Sequence, residues 1–169
     1  MLPIVALCAI QVCLLPSGYA RQSSGPPSAG CLRFGCYPAR VVFRGRPAKP
    51  RFKTEDNFPH FREDVQFALR KGPTFAGAQT LVEVACGTGC AAIAVVDNRT
   101  GEIFRNTPFG EVHFGTPVNP YGKISYRLNS RLLVIEGRID GVSKTPVRAY
   151  YEWCDPGLRL LQAVPIGPR

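Results

Sequence analysis

The residue types and spacing that most directly specify chemistry in this chain lie in Cys86-Gly87-Thr88-Gly89-Cys90. Two glycines between the cysteines permit a tight bend, so the sulfurs can meet without clashes between bulkier side chains. In an oxidising compartment the default product is a structural disulfide that pins one strand end to the next. The closed loop is short, so its entropic contribution falls at the low end of the usual range. Two other chemistries compete for the same residues. One is a redox-active pair, although the spacing is C-x3-C and not the C-x-x-C of thioredoxin-like enzymes. The other is a zinc half-site completed by Cys31 and Cys36, themselves spaced C-x4-C. Neither pair has the C-x2-C spacing of a strong zinc signal. The order of preference is therefore disulfide, then zinc, then redox catalysis.

Of seven cysteines, Cys8 and Cys13 lie in the first 20 residues, which leaves Cys31, Cys36, Cys86, Cys90 and Cys154 beyond them. If the strand around Trp153 continues, Cys154 faces the polar side with Tyr150 and Glu152. Two arrangements stay open. Cys154 bonds Cys31 or Cys36 and tethers the N-terminal arm, or Cys31 and Cys36 bond each other and Cys154 is free. There are two histidines, His60 and His113. A thiol or hydrolytic enzyme using Cys86 or Cys90 with His113 is the catalytic alternative, and no spacing specifically supports it. No G-x-S-x-G, H-E-x-x-H or phosphate-binding glycine loop is present. Asn98-Arg99-Thr100 fits a glycosylation sequon, which chance also produces. Tyr150, Tyr151 and Trp153 offer an aromatic surface, or a stripe that is half core.

The 169 residues carry 21 Lys+Arg against 12 Asp+Glu, a net charge of +9, and the excess is not evenly spread. Residues 1–20 contain no charged side chain. Leu2–Leu15 is apolar apart from Pro3 and Gln11, and Gly18 and Ala20 place small residues at −3 and −1 of a cut after Ala20. This reads as a cleaved signal peptide, without the usual cationic start. Pro16-Ser17-Gly18 interrupts the run short of a bilayer span. Leu7 and Val12 stand where lipoprotein processing needs a small residue before cysteine.

Residues 21–53 hold Arg21, Arg33, Arg40, Arg44, Arg46, Lys49, Arg51 and Lys53 with no acid. Residues 54–169 are nearly neutral, with 13 basic and 12 acidic side chains. The basic character thus belongs to an arm, which reads as an anion-binding segment or a solubilising tail. Export removes nucleic acid as the default partner and leaves anionic envelope glycan, a lipid surface or an acidic protein. With 45% hydrophobic and 20% charged residues, wholesale disorder is excluded.

The elements that would position these groups are mostly strands. Four prolines, Pro38, Pro47, Pro50 and Pro59, make 37–59 a crossing over the surface and not a helix. One helix is expected over about 59–71, with Phe61, Val65, Ala68 and Leu69 on one stripe, Asn57 as N-cap and Gly72-Pro73 as its stop. Alternation predicts strands at 80–86, 102–104, 123–128, 131–136, 147–153 and 158–164. The run at 91–96 is apolar on both faces and predicts a central strand. Asp97–Gly101 and Asp155-Pro156-Gly157 are turns, and 105–122, which contains His113, is a loop. Short connections make the pairing antiparallel. The expected fold is mainly β: a single antiparallel sheet of about six or seven strands, curled or sandwich-like, with one covering helix.

The series GPTFAG at 72–77, CGTGC at 86–90, VVDNRTGEIF at 95–104, NSRLLVIEG at 129–137 and YYEW at 150–153 resembles a family of small exported bacterial proteins. Members of that family show GPNFAGHY, WGCGTGC, DxxTG, DSRLL and YxW in this order, and YPARVVFRGRPAKPRF at 37–52 looks like their lead-in. The resemblance spans roughly residues 37–164. It departs at Thr74, where Asn is usual, at Ala78-Gln79, where His-Tyr is usual, and at Ala85, where Gly follows Trp. The family has no assigned activity, so the resemblance implies export and supplies no mechanism. The sequence therefore describes a signal peptide (1–20), a basic arm (21–53) and one disulfide-braced β domain (54–169). Its expected role is non-catalytic binding in the periplasm or outside the cell, or else a structural part of the envelope. Nothing in it implies a cofactor or a resident metal.

Overall fold

Alternating apolar residues build two main cores and a smaller third cluster on one sheet. β1 (Gln79–Gly87) and β2 (Cys90–Asp97) form an antiparallel hairpin in which Leu81 faces Val95 and Val82 faces Ala94. Leu81, Ile93 and Val95 enter one core; Val82, Val84, Ala94 and Val96 enter the other. A strand buried on both faces needs an unbroken apolar run, as 91–96 supplies. The computed structural model describes residues 30–54, 56, 60–105, 107–114 and 122–166. The expected signal peptide lies outside them.

Helix α1 (Phe61–Leu69) lays Phe61, Val65 and Leu69 on the second core, against β1. It is shorter than expected at both ends. Its N-cap position is His60, in the left-handed conformation at φ 62°, whereas the expected cap, Asn57, lies outside the described residues. A residue turned that way breaks helical geometry, so the helix cannot begin before Phe61. At the other end Gly72, at φ +73°, ends the turn as its sequence position suggests.

The remaining strands are β3 (Ile103–Phe104), β4 (Val112–His113), β5 (Lys123–Ser125), β6 (Leu132–Ile139), β7 (Ser143–Cys154) and β8 (Gly157–Pro165). They complete a single open antiparallel sheet of eight strands in the order β1-β2-β4-β6-β7-β8, with β3 beside β2 and β5 beside β6. The sheet holds one strand more than expected. β4 lies inside the segment read as a loop, and two residues are too short for alternation to register. It is also the strand that joins the two halves of the sheet.

Beyond β4, Leu133, Ile135, Val147, Ala149, Tyr151 and Trp153 fill the first core with Phe75 and Phe109. Trp153 meets Phe75 and Phe104 edge to face at 6.2 and 5.6 Å. Tyr151 and Trp153 are therefore core, and no aromatic surface forms around them. Tyr150 is half-buried on the other face, beside Tyr37, Leu132 and Val134. Glu152, expected on a polar exposed face, is only 3% exposed, because Arg131 and Arg159 close over it.

The arm is bound along the body. Ala39 donates to Asn129 (2.9 Å), Phe43 to Gly77 (2.8 Å), Ala48 to Asn98 (2.8 Å) and Arg51 to Gly101 (2.7 Å), all backbone to backbone. Pro38 bridges Ser130. Gly77 (φ +84°) and Gly101 (φ +77°) stand so close to the Val41 and Lys49 carbonyls that a Cβ at either position would strike the strap's backbone. Residues 38–53 thus form a strap with a defined path, free of helix and strand because its prolines remove the donors both need.

Candidate functional site

Every cation that the sequence singled out on the described arm is exposed. Arg33, Arg40, Arg44, Arg46, Lys49, Arg51 and Lys53 all face solvent, and none joins an ion pair among the described residues. Five arginines of the body behave differently. Arg99 pairs with Asp97 and Asp155, Arg105 with Asp56, Arg148 with Glu136, and Arg131 and Arg159 share Glu152. Just past the strap, Asp56 accepts the Lys53 backbone N–H at 2.7 Å while Arg105 takes its other oxygen. Burial pushes the Asp56 carboxyl up, but these two donors outweigh it and hold it below the usual carboxylate range. The result is a line of unneutralised positive charge on a tethered backbone.

A second set of groups gathers at the far end of the β1–β2 hairpin. Cys86 and Cys90 are joined in a disulfide across Gly87-Thr88-Gly89, with Cα atoms 5.2 Å apart. Cys31 and Cys36 form their own disulfide, which brackets a 3-10 turn at Phe34–Cys36. That pairing rules out the tether from Cys31 or Cys36 to Cys154, and it keeps both residues from completing a zinc site with Cys86 and Cys90. Cys154 is not a free thiol either. The two partners of the Cys31–Cys36 pair are five residues apart, so little chain entropy is lost in closing that loop.

β4 places His113 directly opposite Cys90 in the ladder, and the Phe114 N–H donates to the Gly89 carbonyl at 2.7 Å. On its other side β4 pairs Val112 with Ile139 and His113 with Arg138. The Asp140 N–H continues that register by donating to the Glu111 carbonyl at 3.0 Å. Residues alternate faces along a strand, so Val112 and Ile139 turn into the core while Glu111, His113, Arg138 and Asp140 share the outer face. A Glu111 carboxylate oxygen lies 3.3 Å from Cys90 Sγ, and His113 Nε2 lies 3.3 Å from an Asp140 carboxylate oxygen. The donor atoms of Cys86, Cys90 and Glu111 fall within 4.8 Å of one another, as do those of Glu111, His113 and Asp140.

Sequence reasoning named Cys86, Cys90 and His113 here and missed Glu111 and Asp140. The alternation of Glu111 and His113 around buried Val112 was the available signal, concealed by the length of the strand. His60 plays no part; it is exposed and pairs with Glu63 at 3.0 Å, which raises its pKa.

A cleft of about 570 Å³ reaches this cluster at Glu111 and runs past Phe109, Arg105, Asp56 and Glu102. The turn at 97–101 is structural. Asp97 accepts from the Arg99 backbone at 2.7 Å and from its guanidinium, as turn chemistry predicts. Asn98 is fully buried and donates to the Ala78 carbonyl (2.9 Å) and Thr80 hydroxyl (2.8 Å), so the sequon is closed to glycosylation in the folded chain.

These features define a disulfide-braced, mainly β protein that carries a basic strap on one segment and a sulfur–carboxylate–imidazole cluster at a hairpin tip. Comparison with models of known families, with curated proteins and with solved structures finds no match to the chain. The two disulfides are compatible with an exported protein.

Proposed function

We propose that this chain is an exported, non-catalytic binding protein whose strap engages a linear polyanion, an anionic envelope glycan being the ligand of this chemistry. The observation that carries the reading is a tethered run of exposed cations, residues 38–53, that contains no acid. Five body arginines are neutralised by acids, whereas the six strap cations from Arg40 to Lys53 are exposed and unpaired among the described residues. Unneutralised like charges repel, and a backbone that fixes them at intervals of two to four residues from Arg40 to Lys53 is stabilised when an anion lies along them. Tethering at Ala39, Phe43, Ala48 and Arg51 lowers the ordering cost that a floppy basic tail would incur on binding. Export to the periplasm or beyond, and the family resemblance of the motif series, belong to the same proposal. They are supported by the apolar N-terminal run and the disulfides. A Cys86 or Cys90 nucleophile acting with His113 would need a thiolate that the disulfide form does not hold.

Heparin serves as the probe polyanion, with anionic phospholipid vesicles and an acidic protein as parallel arms. Affinity for heparin is expected to fall at least about tenfold between low and high salt, because exposed charges are screened over a Debye length. The triple variant Arg44→Gln/Arg46→Gln/Arg51→Gln should lose about tenfold or more at low salt, and Arg148→Gln, whose partner is Glu136, should change little. Equal heparin binding by the triple variant and the parent would remove the strap from the function. Tighter binding to vesicles than to heparin would reassign the ligand to a lipid surface.

A further inference from the structure

We propose that Cys86, Cys90, Glu111 and His113 form a redox-gated site for a thiophilic divalent cation of the zinc class, closed while the disulfide is intact and opened by a dithiol reductant. The inference is independent of the strap and rests on the hairpin cluster alone.

Two sulfurs, a carboxylate oxygen and an imidazole nitrogen make four donors, the number and mixture that a tetrahedral zinc site takes. Glu111 is the hub, since its carboxylate belongs to both groups of mutually close donors. The backbone that carries these donors is already paired before reduction. β4 stays anchored by the Cys90–His113 and Ala91–Val112 pairs on one side and by Val112–Ile139 and His113–Arg138 on the other. Asp140 supplies the supporting contact. With a proton on His113 Nε2 donated to the Asp140 carboxylate, the ring's lone pair rests on Nδ1, and partners of this kind commonly orient metal-binding imidazoles. Arg138 is exposed on the same face and makes no ion pair among the described residues. It offsets the negative charge that two thiolates and Glu111 would leave beyond that of the cation.

The gate is the disulfide itself. Cys86 is exposed on the hairpin rim and Cys90 half-buried, so the bond is open to attack by an external thiolate. A dithiol reductant transfers two electrons to the Cys86–Cys90 bond and becomes a disulfide, leaving two protein thiols. Both thiols lose their protons to solvent as the cation binds. While the bond is intact neither sulfur is a thiolate, and the cluster retains no soft ligand.

The test uses the full chain and Co2+ as a spectroscopic stand-in for Zn2+, with the fold followed by circular dichroism. Anaerobically reduced protein is expected to bind one Co2+ with near-ultraviolet thiolate-to-metal absorption, displaced by Zn2+. The disulfide form should show no such band and bind at least about a hundredfold more weakly. Cys31→Ser/Cys36→Ser should keep the band and Cys86→Ser/Cys90→Ser should lose it. Glu111→Gln and His113→Ala should each weaken binding about tenfold or more, and Asp140→Asn by about tenfold, the usual effect of losing a supporting partner. Equal Co2+ affinity in the two redox states would overturn the proposal, as would a band that follows Cys31 and Cys36 or is indifferent to Glu111 and His113. A reduced chain that loses its sheet signal without binding Co2+ would also overturn it, because the site requires β2 and β4 to remain paired.

Discussion

Glu152 shows how far a single residue can depart from its local pattern. It follows Tyr151 and precedes Trp153, so alternation sends it away from the main core, and a carboxylate there is ordinarily solvated. In the fold it is 3% exposed and shared by Arg131 and Arg159, one from β6's approach and one from β8. Replacing it with Gln would leave two guanidiniums around a neutral amide in a partly buried site. Glu152→Gln should cost about 2–4 kcal/mol in urea unfolding, slightly below a fully buried pair because the Arg159 side chain is 49% exposed. A change under about 0.5 kcal/mol would mean that solvent already screens the trio. Asn98 makes the converse point: a residue that motif reading marks as surface is a buried hydrogen-bond donor that ties the turn to β1.

The strap and β4 are the elements whose positions decide what this surface can do. Prolines forecast the strap's lack of regular structure, and they could not forecast its attachment points. Those depend on Gly77 and Gly101, which adopt positive φ and admit the strap's carbonyls where a side chain would collide. Gly101→Ala combines strained backbone with that collision and should destabilise the chain by about 1–3 kcal/mol. It should also free the strap locally, so limited trypsin should cut after Arg44 and Arg51 faster than in the parent. Unchanged cleavage kinetics would show that the strap is not held at this point. β4 was illegible for a different reason: two residues carry no period, and their strand character comes wholly from neighbours on β2 and β6.

For the whole molecule, the buried carboxylates set the response to acid. Burial pushes the Asp97 carboxyl up, yet hydrogen bonds from Arg99 and Gln79 outweigh it and leave it below the usual range; Asp56 is held low in the same sense by Lys53 and Arg105. A carboxyl depressed in the folded state contributes its full stabilisation above the unfolded pKa of about 3.9. That contribution fades as pH falls through the folded value. The contribution of Asp97 and Asp56 to the urea midpoint should therefore be flat from about pH 7 to 5 and decline below that. Asp97→Asn should lower stability at neutral pH and flatten the acid decline. An acid decline as steep in the variant as in the parent would place the sensitivity elsewhere.

Patterns carried by neighbouring residues were readable without a structure: the alternation that makes antiparallel strands, the apolar stripe of α1, the bend that joins Cys86 to Cys90, and the excess of positive charge in residues 21–53. Each depends on spacing along the chain, which local sterics and periodicity translate directly into shape. The tertiary structure alone decided which distant residues meet. Glu111 comes beside Cys90 across a separation of 21 residues and Asp140 beside His113 across 27, both through the register of one short strand. Register is chosen by burial on the opposite face, where Val112 and Ile139 must enter the core. The chemistry on the outer face is a consequence of that choice.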